Sequence, residues 1–236
     1  MANFLRFLFA LVALPFAWGV TQVFLQVMRQ LLGRGGLGLQ SDIVAFFAGF
    51  VLMFIVLLVF PAPIRLYVFG HELTHAVWGV CFGAKVSNLR VGLRGGSVTL
   101  TKSNVWITLA PYFFPFYTVL VICLALMTSI FVSPLPCKFA WVFALGATWC
   151  FHVFFTLRSL LQRQPDVEEY GHLFSYAFIW IFTLAGVVAG IVCTTEISAM
   201  QVGRALIDET QTAYATVCAW GVWLYERLRA LPILQG

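Results

Sequence analysis

The sequence is poor in charge: only 10% of its 236 residues are Asp, Glu, Lys or Arg, where a soluble domain carries about 25%. A water-soluble globule is excluded, because 61% of the chain is hydrophobic and there is too little polar surface to cover it. No C-x-x-C pair is present; the six cysteines stand at 81, 123, 137, 150, 193 and 218. Their scatter argues against a cysteine metal knuckle or a dithiol redox site and leaves them as buried, reduced filler. The net charge of +5 is not gathered into a basic patch with interleaved aromatics, so nucleic acid is not an expected partner. Long polar linkers are also missing. The longest segments between apolar blocks are about 20 residues, which leaves no room for a soluble domain between them.

What the chain has instead is long apolar runs, and a run of about 18 uncharged residues is enough to cross a bilayer as a helix. Residues 7–28 form the first. The apolar stretch runs well past the loose small-x-small site at Ala17-Trp18-Gly19, so it reads as a transmembrane helix rather than a cleaved leader. Arg29 to Asp42, with Gly33, Gly35, Gly36 and Gly38, reads as a flexible connector; its glycine pattern follows no strand, so it is no dinucleotide site. Residues 43–60 are a second span, closed by Pro61-Ala62-Pro63. Residues 64–83 are apolar apart from Arg65, His71, Glu72 and His75.

Lys85 to Lys102 is the only stretch with strand character. Its first half alternates imperfectly, Gly95-Gly96 turn the chain, and Val98 and Leu100 then alternate cleanly with Ser97, Thr99 and Thr101. Residues 105–132 are uncharged but broken by Pro111 and Pro115, so the helix proper is expected from about residue 116, and prolines there can free backbone groups inside a membrane. Residues 139–157 and 173–193 complete the spans. The tail from Thr194 mixes charged residues with Trp220, Trp223 and Leu224 and reads as an amphipathic interfacial helix.

The expected fold is therefore an all-α polytopic membrane protein. It has about six transmembrane helices, a short β-hairpin and an amphipathic C-terminal helix, in one membrane domain spanning 1–236. If all six segments cross, loops 29–42, 84–104 and 158–172 share a side with eight basic residues against Arg6, Arg65 and Lys138. The positive-inside rule then puts those loops in the cytoplasm, although Arg204, Arg227 and Arg229 of the tail join the minority side.

Ionisable groups within an apolar segment are costly and point to function. His71-Glu72-Leu73-Thr74-His75 holds three in five residues. On a helix the two histidines are about 40° apart around the axis and about 6 Å apart along it, so both can reach one zinc ion. Glu72 borders the same face, where it can act as general base. Random placement gives this pattern in about one chain in a thousand of this composition. Zinc needs a third protein ligand. Asp166, just after Pro165, comes first; Glu168, Glu169 and His172 are the alternatives, and His152 reads as a hydrogen-bonded core histidine. Pro165, Asp166, Glu168 and Glu169 also make an ordinary helix N-terminus.

Phe69-Gly70-His71-Glu72-Leu73-Thr74-His75-Ala76 resembles the active-site helix of the site-2 protease family of intramembrane zinc metalloproteases. The hairpin with Gly95-Gly96, the Leu109-Ala110-Pro111 opening of the next span and a later aspartate extend the resemblance over about residues 64–193. Gln164 and Val167 stand where the family usually has asparagine and glycine. The resemblance implies zinc on His71, His75 and Asp166, Glu72 as base, and a membrane-protein substrate whose opened strand pairs with the edge around Val98. The expected activity is peptide hydrolysis in a bacterial cell membrane. The alternative is a catalytically inactive scaffold of the same fold that binds other membrane proteins through Gly79-x-x-x-Gly83 and Gly186-x-x-x-Gly190. A metal transporter would need polar groups across several spans, and here they gather at one site.

Overall fold

The computed structural model describes residues 2–33, 37–93 and 95–229. Arg34, Gly35 and Gly36 of the expected connector, Arg94 of the hairpin, and 230–236 of the tail lie outside them. The chain is largely helical: α1 (Ala2–Gly33), α2 (Leu37–Val59), α3 (Ile64–Cys81), α4 (Val105–Phe113), α5 (Phe116–Phe131), α6 (Lys138–Leu160), α7 (Pro165–Tyr170), α8 (His172–Thr194) and α9 (Ala199–Arg229). Its small sheet pairs β1 (Val86–Val91) antiparallel to β2 (Gly96–Leu100).

Among the described residues four helices are long and apolar enough to cross a membrane: Phe4–Gly33, Gln40–Val59, Lys138–Leu160 and His172–Thr194. The α4–α5 pair, bent by 77°, makes five if it counts as one span. This is the makeup of a multi-pass membrane protein. The helix α3, expected as a further span, is not among these candidates. Most of the expected connector at 29–42 is helical instead, with α1 running to Gly33 and α2 starting at Leu37. Each residue added to a formed helix gains a backbone bond, so Gln30, Leu31 and Leu32 extend it beyond the apolar block. The cysteines also differ from expectation: all six are free, but only Cys150 is buried, because an apolar side chain on a membrane helix has no need to face inward.

The chain forms two compact units, Met1–Gly33 with Gly171–Gly236, and Arg34–Tyr170. In the first, α1 packs against α8 and α9 through Val23, Val27, Val188 and Ile197. The tail helix α9 lies lengthwise along α1: Tyr214 Oη donates to the Val12 carbonyl at 2.6 Å, and Gln26 Nε2 donates to Glu209 Oε1 at 2.6 Å.

In the second unit α2 and α6 form the closest helix pair. A side chain on Gly49 would collide with the Phe143 carbonyl, and one on Gly146 with the Phe46 carbonyl. The glycines of the two sequence motifs do something else. Gly79 faces the Leu100 side chain, and nothing described lies within 4 Å of a Cβ at Gly186 or Gly190. The two helices run in the same direction: Asp42 pairs with Lys138 at 2.6 Å near their N-termini, and Leu57 meets Phe151 and Phe155 near their C-termini.

The hairpin follows the sequence pattern closely. The register shifts between Ser87 and Arg90, where Asn88 has φ +51, and this bulge accounts for the imperfect alternation of the first strand. In β2 the half-buried Val98 and Leu100 alternate with exposed Ser97 and Thr99.

Gly146→Leu is expected to separate α2 from α6 and lower stability by about 3 kcal/mol or more. Gly186→Leu, which meets nothing described within 4 Å, is expected to change it by less than about 0.5 kcal/mol. Thermal unfolding of the two purified variants in one detergent checks the contrast.

Candidate metal centre

The site is built where α3, α4 and α7 meet. The N-terminus of α4 is set by Asn104, whose side chain accepts from the Ile107 amide at 3.0 Å. Within α4, Pro111 has no N–H to donate to the carbonyl four residues earlier. That carbonyl, on Ile107, instead accepts from Nδ1 of the buried His75 at 2.8 Å. A carbonyl can only accept, so the His75 proton sits on Nδ1 and the Nε2 lone pair is left open to a metal.

His75 Nε2 lies 3.3 Å from His71 Nε2, and both lie 3.4 Å from Asp166 Oδ2. These three residues form a group that can hold a metal ion. The near-equilateral triangle matches one face of a tetrahedron around an ion with ligands about 2.0–2.1 Å away, whose edge is about 3.3–3.4 Å.

Each of the three has a further partner. His71 Nδ1 is 3.4 Å from Tyr67 Oη, and the Tyr67 ring stacks on Phe155 of α6. Tyr112 Oη donates to Asp166 Oδ2 at 3.1 Å, with Gln164 Oε1 at 3.4 Å. Such outer partners fix the orientation of ligands and are worth about 10–100-fold in metal affinity. Burial by itself would raise the Asp166 carboxyl, but the His71 and His75 rings beside it hold it well below the usual carboxylate range. It is thus ionised, the form a metal requires.

Glu72 is buried on α3 and lines a cavity of about 910 Å³ together with His71, His75 and Asp166. The strand β2 forms another wall, and Gly96 is what lets it close. A Cβ there would sit 2.6 Å from Glu72 Cγ and 2.7 Å from Val68 Cγ1. The group of three holds none of the other sequence candidates. Glu168 pairs with Arg163 at 2.9 Å, Glu169 lines the cavity rim, and His172 stacks on Tyr176 of its own helix. The His152 ring lies against that of Trp149 on its own helix.

The roles of Tyr112, Tyr67 and Ile107 were not read from the sequence. The available signal was Pro111, which announces a carbonyl in need of a donor. The chain matches no protein-family model, no curated protein and no solved structure.

Purified protein is expected to carry about one divalent metal per chain, lost in His75→Ala and in Asp166→Ala, as elemental analysis would record. Tyr112→Phe removes one hydroxyl without changing the ring, and is expected to weaken metal affinity about 10–100-fold in a chelator competition.

Proposed function

We propose that this chain is a zinc metallopeptidase of the site-2 protease type that cuts membrane-protein substrates. The observation that carries the reading is the triangle of His71, His75 and Asp166 ligand atoms at 3.3–3.4 Å, with Glu72 lining the same cavity. Two nitrogens and one carboxylate oxygen are a common catalytic zinc set, since they leave a fourth position for water.

His71, His75 and Asp166 would hold the ion, which when bound supplies Lewis acidity toward water and a peptide carbonyl. Glu72 takes a proton from the attacking water and delivers it to the leaving amine nitrogen, so that water adds to the carbonyl carbon as the C–N bond breaks. The exposed edge of β2 along Ser97 and Val98 offers backbone groups to an extended substrate strand. Zinc rather than magnesium or calcium is favoured by the two imidazoles, because the harder cations prefer all-oxygen sites. The setting we propose is a bacterial cell membrane. Six crossings were expected there, and α3 is the member of that set that is not among the helices long and apolar enough to cross.

Glu72→Gln is expected to keep its zinc and lose at least about 10³-fold in turnover of a membrane-protein substrate. Retention of most of the activity would remove Glu72 from the base role. Zinc-loaded wild type with no turnover on any membrane substrate would move the reading to a scaffold of the same fold.

A further inference from the structure

The arrangement of Arg34–Tyr170 decides how its helices thread a membrane. The span helices α2 and α6 are neighbours and run in the same direction. The chain between them, from Phe60 to Cys137, must return from the far end of α2 to the near end of α6. It therefore makes an odd number of crossings, and α3 and the α4–α5 pair cannot both be full spans.

Three observations choose between them. First, α4–α5 passes as an apolar span if its bend is accepted, whereas α3, carrying Arg65, His71, Glu72 and His75, does not. Second, α4 is bent 77° away from α5 and lies along α3 in the opposite sense: Trp106 stacks on Trp78, the Ile107 carbonyl meets His75, and Tyr112 meets His71. A direction shared with α4 takes α3 across the axis of α5 rather than along it. Third, the hairpin folds back over α3, Gly96 against Val68 and Glu72 and Leu100 against Gly79, with all six residues of β1 exposed. An open two-stranded sheet bearing Arg90, flanked by Lys85 and Lys102, has free backbone groups and charges that hydrocarbon would not satisfy.

We infer that α3 does not cross the membrane. It lies with the hairpin, α4 and α7 at the end of the bundle formed by the C-termini of α2 and α6, and α4–α5 alone makes the return crossing. Among the described residues of this unit, that end carries Arg65, Lys85, Arg90, Lys102, Arg158 and Arg163, while the other end carries Lys138, so the metal centre faces the cytoplasm. The substrate class follows, and this part rests on the peptidase reading above: the bond cut lies in a cytoplasmic segment just outside a membrane span, not at mid-bilayer.

The threading is tested without reference to catalysis. Single cysteines are placed at the turn before α3 (Pro61→Cys) and in the hairpin (Ser87→Cys), with native Cys137 as the third position, in full-length chains whose other cysteines are replaced. A membrane-impermeant maleimide is applied to intact cells and to inverted vesicles. Positions 61 and 87 are expected to label together in inverted vesicles only, and Cys137 only in intact cells. Labels at 61 and 87 from opposite sides would mean that α3 crosses and would overturn the inference. Both labelling from outside would overturn the cytoplasmic assignment. Retained metal content in each variant certifies its fold. Mapping the cut in a single-span reporter then tests the substrate class. A cut within about one helical turn of the cytoplasmic boundary supports it and a mid-span cut overturns it, whereas a complete absence of cleavage counts against the peptidase reading and leaves the labelling result standing.

Discussion

Asp166 Oδ2 is the atom on which the site depends. It accepts from Tyr112 at 3.1 Å and stands 3.4 Å from each imidazole, so it joins α7 to α3 and α4 at one point. A carboxylate and two imidazoles held this close, and largely out of water, are tolerable only when every lone pair and proton has a partner. The chain supplies those partners from its own irregularities. Pro111 frees the Ile107 carbonyl for His75, and the break after α6 lets Gln164 and Asp166 turn back toward Tyr112. Features that would weaken an isolated helix thus become the groups that orient the ligands.

The metal pair was legible because His71 and His75 stand at a spacing that helical geometry converts directly into proximity. Asp166 was legible as a preference among four groups in one short segment, since sequence cannot say which side chain of a turn points inward. The helix ends and the hairpin were legible where proline, glycine or strict alternation marked them. The bulge at Asn88 even left its trace as a broken alternation. Illegible were the contacts that depend on two distant elements. Tyr112 looks like ordinary apolar filler until α7 brings Asp166 to its hydroxyl. The tight crossing at Gly49 and Gly146 has no spacing signature within either helix, whereas the two small-residue motifs that do have one form no close helix contact among the described residues.

Six crossings were expected, and four helices, or five with the bent pair, are long and apolar enough among the described residues. Hydropathy is a property of one segment, while direction is a property of pairs, and only the pairing of α2 with α6 exposes the parity. A hairpin bearing Lys85, Arg90 and Lys102 would cost about 2.5–3.5 kcal/mol for each charge at the bilayer centre. Unpaired strand groups there would cost several kcal/mol more apiece. A sum of that size favours a place for the helix and its hairpin where water reaches them.

On the proposed peptidase reading, placement at the boundary would also ease the hardest step of proteolysis on membrane proteins. A peptide carbonyl inside a membrane helix is hydrogen-bonded within that helix, and freeing it in hydrocarbon leaves donors and acceptors with nothing to meet. At the cytoplasmic edge the same groups meet water on one side and the open edge of β2 on the other. The cost of unwinding is then shared between solvent and strand. Gly96 keeps that edge against Glu72, so in the proposed peptidase the strand that would straighten a substrate would also set its carbonyl beside the base.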